Sequence, residues 1–243
     1  MATLHFIMQG KGGVGKSLCA SLLTQYLAEA GSLPVCFDTD PVNNTFAGYQ
    51  AFGARIIDIM AGDSIDPRGF DALMEALHEL GDDVHAVIDN GAASFVPLGS
   101  YLAENDAFSM LIESGHHVFL HTVITGGQAL PDTLDGLTAL ASVFDGIPLV
   151  VWLNEYFGSI TLADGRNFEQ FMQTVDYQDR LYAQVQIPNR NPATFGKDLS
   201  ELFAQRRTFS EALADSALPL MQRQRYRTWW TEMSMALDNT QIV

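Results

Sequence analysis

Gly10-Lys11-Gly12-Gly13-Val14-Gly15-Lys16-Ser17 is the stretch that decides the fold. It fits the spacing GxxxxGK(S/T), and its surroundings give that spacing meaning. An apolar run, Leu4–Met8, precedes it; an amphipathic run, Ser17–Ala30, follows and stops at Gly31. Strand, glycine-rich turn and helix in this order make a cradle for phosphate groups. Glycines let backbone N–H groups approach phosphate oxygens without Cβ clashes, and the helix beginning near Lys16 offers unpaired N–H groups and the positive end of its dipole. In such a loop Lys16 reaches the outer phosphates and the Ser17 hydroxyl is placed to ligate Mg²⁺.

Further along the chain, short apolar runs alternate with longer amphipathic stretches. The runs are Pro34–Phe37 ending at Asp38, Val84–Ile88 ending at Asp89, His117–Ile124, Pro148–Leu153 ending at Asn154, and Gln184–Ile187 ending at Pro188. Most are apolar on both faces, as strands covered on both sides must be. The pattern predicts an α/β protein with three layers: a mostly parallel central sheet with helices on both faces. Asp66-Pro67 suits a helix start, and Phe70, Leu73, Met74, Leu77 and Leu80 recur at helical spacing before Gly81. Leu130, Leu134, Leu137 and Ala141 mark another helix. Thr208–Glu211 reads as a capping box. A last helix, about Pro219 to Leu237, gathers Tyr226, Trp229, Trp230, Met233 and Leu237 on one face. Ligands of open parallel sheets bind beyond the carboxyl ends of the strands, and Asp38, Asp40, Asp89, Asn154 and the glycine loop all fall there.

Length and composition bound the rest. A chain of 243 residues with 47% hydrophobic content fits one domain over residues 1–243. The 13 Lys and Arg stand against 29 Asp and Glu, a net charge of −16, which argues against electrostatic wrapping of nucleic acid. All five basic residues after position 200 are arginines (Arg206, Arg207, Arg223, Arg225 and Arg227), so any second anion-facing surface is expected there. Two cysteines, Cys19 and Cys36, are too few for a disulfide framework and read as small buried side chains in a reducing compartment. The first residues lack the basic-then-apolar pattern of a secretory leader. The apolar part of Ser114–Pro131 is only about Val118–Ile124, too short to span a bilayer. A cytoplasmic location is expected. The six histidines have no metal-ligand spacing and read as ordinary polar positions.

The form KGGVGKS, with Lys11 directly after the first glycine, resembles the deviant Walker A family of P-loop ATPases, which includes the ParA partition and MinD cell-division ATPases and the nitrogenase iron protein. FDTDP (Phe37–Pro41), AVIDNG (Ala86–Gly91) and LVVWLN (Leu149–Asn154) resemble its first switch, its Walker B strand with second switch, and its base-reading strand. The resemblance implies ATP and Mg²⁺ as cofactors and an ATP-sandwich homodimer that hydrolyses ATP as a switch. Gly12, Gly13, Val14, Gly15, Lys16, Ser17 and Leu18 would then bind the nucleotide. Lys11 would cross the dimer interface to the other subunit's nucleotide. Asp38 would help hold Mg²⁺ through water, with Ser17 and Asp89 completing the metal's surroundings, and Asp40 would position or activate the attacking water. Asn154 would pair with the adenine edge. Asn90-Gly91 departs from the Thr-Pro usual in partition ATPases, which makes the second switch atypical. The segment Asp40–Phe52 is unusual for partition proteins and resembles a ParA-like subgroup encoded with the transfer genes of conjugative plasmids. It implies a protein partner in conjugation or plasmid maintenance.

Two other classes compete. A small-molecule kinase or synthetase could use the same loop, but the Asp40 segment and the lack of a recognisable acceptor site disfavour it. A non-enzymatic scaffold could touch DNA or a membrane through the aromatic, arginine-bearing last helix. Packing of that face on the domain is the favoured reading, because an exposed patch of two tryptophans is costly.

Overall fold

The computed structural model describes residues 1–242. In chain order the elements are β1 (Thr3–Ile7), α1 (Lys16–Glu29), β2 (Val35–Asp38), β3 (Arg55–Ile56), β4 (Met60–Ala61), β5 (Ser64–Ile65), α2 (Asp71–His78), β6 (His85–Asp89), α3 (Phe95–Glu104), α4 (Ala107–Glu113), β7 (His117–Thr125), α5 (Leu130–Val143), β8 (Leu149–Asn154), α6 (Phe168–Met172), β9 (Leu181–Gln186), α7 (Lys197–Ala204), α8 (Phe209–Ala214) and α9 (Leu220–Asp238). Seven strands form one sheet in the order β3-β2-β6-β1-β7-β8-β9, and every pairing in it is parallel. β4 and β5 make a separate antiparallel hairpin. The chain first builds outward from β1 on one side and then on the other. β1 is therefore the strand beside which the order reverses, and the crevice at its carboxyl end is where a ligand fits.

Two cores cover the two faces of the sheet. On one, Leu4, Phe6, Ile88, Leu120 and Val151 pack under Leu73, Leu98, Leu111 and Leu137 from α2 to α5. On the other, Ile7, Val87, Val123 and Trp152 pack under α1 and the C-terminal helices. Alternation along each strand sends successive side chains to opposite cores, which is why the strands read as nearly continuous apolar runs. The sequence-predicted α/β three-layer fold is the observed one. Six predicted strands match within three residues at each end. The short β3 and hairpin strands, and the helices α3 and α4, were not foreseen: Phe95–Glu113 carries Pro97 and Gly99, which obscure its helical periodicity.

The C-terminal helix packs as its apolar face requires. Tyr226, Trp229, Trp230, Met233 and Leu237 are buried, and the Phe209 ring stacks on Trp229 and Trp230 at centroid distances of 5.3 and 4.9 Å. The indole N–H groups donate to Pro188 O and to the Glu29 carboxylate. The capping box at Thr208 and Glu211 forms as expected, and two of the late arginines are paired, Arg207 with Asp215 and Arg225 with Asp198. Among the described residues no helix is long and apolar enough to cross a membrane. Cys19 and Cys36 are free and buried.

One expectation needs correction. The histidines are not all ordinary polar positions: His5 and His121 are fully buried in the sheet. Trp152 Nε1 donates to His121 Nδ1 at 3.0 Å, His121 Nε2 lies 3.0 Å from His5 Nδ1, and His5 Nε2 lies 3.0 Å from His85 Nδ1. An indole nitrogen can only donate, so His121 must carry its proton on Nε2, and the same logic passes to His5 and then His85. The result is a one-way chain of neutral imidazoles across β8, β7, β1 and β6. Burial pushes the His121 imidazole down to about 3, and burial, then the neighbouring histidines, hold His5 well below its ordinary value. The spacing in sequence hides this cluster because each histidine sits on a different strand, and parallel pairing alone brings them together.

Candidate functional site

The loop between β1 and α1 curls back at its two last glycines. Gly13 and Gly15 have φ of 75° and 109°, a region that residues with a Cβ enter only with strain. Gly15 caps α1, so the N–H groups of the first helical turn, at Lys16, Ser17 and Leu18, open into a cavity of 500 Å³. Gly12, Gly13, Gly15, Lys16, Ser17 and Leu18 line one side of it, and Asp40, Val42, Asn43, Thr45, Ala92 and Ala93 line the other. Lys16 is buried, and its Nζ donates to Lys11 O at 3.1 Å, closing the loop on itself. Burial pulls the Lys16 ammonium down, and the carboxylates of Asp89 and Asp40 push it back up.

Three acids stand at the carboxyl ends of neighbouring strands. Asp38 and Asp89 are opposite each other in the β2–β6 register. Asp38 accepts from Asp40 N at 3.0 Å and Ala47 N at 2.9 Å, and burial raises it against those bonds. Asp89 is raised to about 7, first by burial and then by Asp38, with the Ser17 hydroxyl opposing. Asp89 Oδ1 is buried without a hydrogen-bond partner. An unmade acceptor in such a place is costly, and hard oxygen donors of this kind suit Mg²⁺, which keeps most of its own waters. Ser17 and Asp89, with Asp38 behind them, therefore fit a hydrated magnesium ion.

Asp40 Oδ1 accepts from Val42 N at 2.9 Å and Asn43 N at 3.1 Å. One carboxylate oxygen is fixed by this turn, which leaves the other for a partner in the cavity. Lys11 is half-exposed and its Nζ lies 2.7 Å from Asp132 Oδ2 at the start of α5. The residue expected to act in trans is thus paired in cis in the single chain. Gln9, which the sequence reading did not single out, makes the same connection from inside. It is fully buried, its Nε2 donates to Thr133 O at 3.0 Å and Val123 O at 3.2 Å, and its Oε1 accepts from Lys11 N at 3.4 Å. Gln9 follows directly on an apolar strand, and a single polar residue there carries no periodic signal of its burial.

The crevice continues past Gly13, Gly15 and Leu18 into a second, more apolar cavity of 430 Å³. Asn154, Tyr156, Phe157, Pro188, Phe203 and Trp229 are among its lining residues. Asn154 Nδ2 donates to Val14 O at 2.9 Å and its Oδ1 accepts from Tyr156 N at 3.1 Å. Each amide group retains further hydrogen-bonding capacity, so Asn154 can pin the loop and still face a ring in the cavity. The chain just past β9 contributes Ile187, Pro188 and Asn189. The α7 and α9 side of this cavity was not foreseen.

A glycine loop on a helix N-terminus, facing buried acids at the carboxyl edge of a parallel sheet, defines a P-loop nucleotide-binding protein. The chain belongs to the CobQ/CobB/MinD/ParA nucleotide-binding domain family, whose model matches residues 5–191. It is 48% identical over 244 residues to Protein TraL of Escherichia coli, covering 100% of both chains. A second Protein TraL of the same organism is 49% identical over 228 residues, covering 93% of each. Among solved structures, the septum site-determining protein MinD complexed with Mg-ADP from Pyrococcus horikoshii OT3 aligns with a TM-score of 0.57 at 16% identity, over 98% of this chain and 96% of that one. The MinD cell division protein of Aquifex aeolicus aligns with a TM-score of 0.53 at 14% identity, over 98% and 97%. At these identities the structures support the fold.

Proposed function

We propose that this chain is a single ATPase unit that binds Mg·ATP in the crevice, hydrolyses it slowly, and uses the two states as a switch in plasmid conjugal transfer or maintenance. The observation that carries the reading is that Lys16 and Ser17 line one cavity with Asp40, while Asp89 stands against Ser17 and Lys16 with Asp38 beside it in the sheet register. Phosphoryl transfer to water needs charge neutralisation, an oriented nucleophile and little covalent help. The backbone N–H groups of residues 15–18 and the Lys16 ammonium receive the phosphate tail. Magnesium, when bound, offsets phosphate charge. Asp40, with one oxygen held by its own turn, orients the attacking water and accepts its proton. Asn154 and the apolar cavity hold adenine.

The reading extends to a homodimer. Lys11 would leave Asp132 and approach the nucleotide of a second copy, so that the two bound states differ in association. A ligand shifts such an equilibrium only by its differential affinity for the two states. The relation to Protein TraL and the Asp40–Phe52 segment support a protein partner from the DNA-transfer machinery. The burial of the α9 aromatic face disfavours direct membrane or DNA docking through it. Phosphate release from ATP alone, with no co-substrate, tests the enzyme against the kinase alternative. Size-exclusion with a slowly hydrolysed Mg·ATP analogue tests the dimer: wild type should shift to twice its mass and Lys11→Ala should not, and identical elution of the two would overturn the trans role.

A further inference from the structure

The Asn90-Gly91 pair, atypical for the partition ATPases it otherwise resembles, occupies the place where the two switch segments touch. Asn90 is fully buried, and its Oδ1 accepts from Thr39 Oγ1 at 3.0 Å and from Ser94 Oγ at 2.7 Å. Thr39 lies between the two acids of the first switch, and its N–H donates to Asp89 O at 2.9 Å. Ser94 Oγ also lies 3.0 Å from Thr39 O and 3.2 Å from Gly91 O. A hydroxyl has one proton, so Ser94 shares it among three oxygens, two of them on the second switch and one on the first. Thr39, Asn90 and Ser94 are all fully buried, and Asn90 Nδ2 already has no partner, so breaking the bonds at Oδ1 would strand further buried polar atoms at a cost. The two segments are therefore held in one mutual position or must part together.

Gly91 completes the arrangement. A Cβ placed on it would lie 2.5 Å from Asp40 Cγ, 2.7 Å from Asp40 Oδ1 and 2.9 Å from Asp40 Cα. Asp40 thus rests directly on the bare backbone of Gly91. No positive φ demands glycine here; the close approach of the carboxylate does. The Asp40 carboxyl is fixed from one side by the N–H groups of Val42 and Asn43 and from the other by this surface.

We propose that Asn90 and Gly91 are the seat of Asp40. They are positioning residues through which the second switch sets where the carboxylate stands, and any movement of Ala92–Ser94 on nucleotide binding is passed to Asp40 through the Thr39–Asn90–Ser94 network. The role in hydrolysis rests on the ATPase reading above; the coupling of the two segments does not.

Two readouts separate them. In steady-state hydrolysis, Thr39→Val, which keeps the shape and removes the hydroxyl, and Gly91→Ala, which displaces the carboxylate, should each lower kcat about tenfold or more with KM within about threefold, while Thr39→Ser retains most of the rate. The second readout needs no turnover. Val42 is exposed and both native cysteines are buried, so Val42→Cys offers one reactive thiol beside Asp40. Its alkylation rate should differ between nucleotide-free protein and protein with a slowly hydrolysed Mg·ATP analogue, and Thr39→Val or Gly91→Ala in that background should abolish the difference. Folding is checked by the thermal transition of each variant. A wild type that binds ATP without hydrolysing it sinks the ATPase reading alone. Variants that keep both the wild-type kcat and the wild-type alkylation difference overturn the seat.

Discussion

The two halves of the crevice are built by different means. The half proposed to hold phosphate comes from short segments at strand ends: one loop, one helix start and three acids, all close to β1. The half proposed to hold the base is assembled from residues scattered over Asn154–Phe157, Ile187–Arg190, Gly196–Ala204 and Trp229, and is mostly apolar. Backbone N–H groups held by glycine geometry make the first half, so its residue types are dictated by position. Shape made by packing makes the second, so many side chains would serve. The phosphate half is therefore readable and intolerant of change at single residues, whereas the base half is bound up with the stability of the C-terminal helices.

That contrast can be broken most forcefully at Trp229. It is nearly fully buried, stacks on Phe209 and lines the apolar cavity proposed for the base. Trp229→Ala should cost about 3–5 kcal/mol of stability, read as a fall in the urea midpoint, and should weaken ATP binding more than pyrophosphate binding. Equal loss for both ligands would mean the halves are not separable.

Asn154 stands on the border. A reader of the base alone would leave pyrophosphate affinity unchanged on removal. Because its Nδ2 also holds Val14 O, Asn154→Ala should weaken pyrophosphate as well as ATP, each by about 1–2 kcal/mol. Calorimetry with both ligands checks this.

The same contrast explains what was legible. The loop, Asp38, Asp40 and Asp89 lie where a strand ends and the chain must turn, so alternation of apolar and polar residues marked them. The helix spacing of Trp229, Trp230 and Met233 foretold their burial, but not that Trp229 would wall a ligand cavity, because that depends on how α9 crosses the sheet. The cis pairing of Lys11 with Asp132 was invisible for the same reason: the partners are 121 positions apart and meet through the β7–α5 connection. Gln9, just past β1, and the histidines within the strands were missed because single polar residues beside or inside apolar runs carry no periodic signal.

The phosphate half should also respond to pH where the base half does not. Asp89 is raised to about 7 in the ligand-free chain. Below that pH it holds a proton that must leave before the carboxylate can support magnesium. Affinity for Mg·ATP should therefore be flat above pH 7 and fall by up to about tenfold per unit below it. Metal-free pyrophosphate should show no such loss from Asp89, and Asp89→Asn should remove the dependence.

The smallest effect is expected at Asp132. Its ion pair with Lys11 is half-exposed on both sides, and pairs of this kind contribute about 0–1 kcal/mol. Asp132→Ala should leave the thermal midpoint nearly unchanged while easing release of Lys11, so that less Mg·ATP analogue is needed for the dimer in size-exclusion. An unchanged dependence on nucleotide would show that the cis pair does not restrain association.

The central claim is that the loop at residues 10–17 binds a triphosphate with magnesium. Isothermal titration of the folded protein with a slowly hydrolysed ATP analogue and Mg²⁺ tests it most directly. A saturable heat with one site per chain is predicted, lost by about a hundredfold or more in affinity in Lys16→Ala. No heat from the wild type, or equal binding by the variant, would contradict the account.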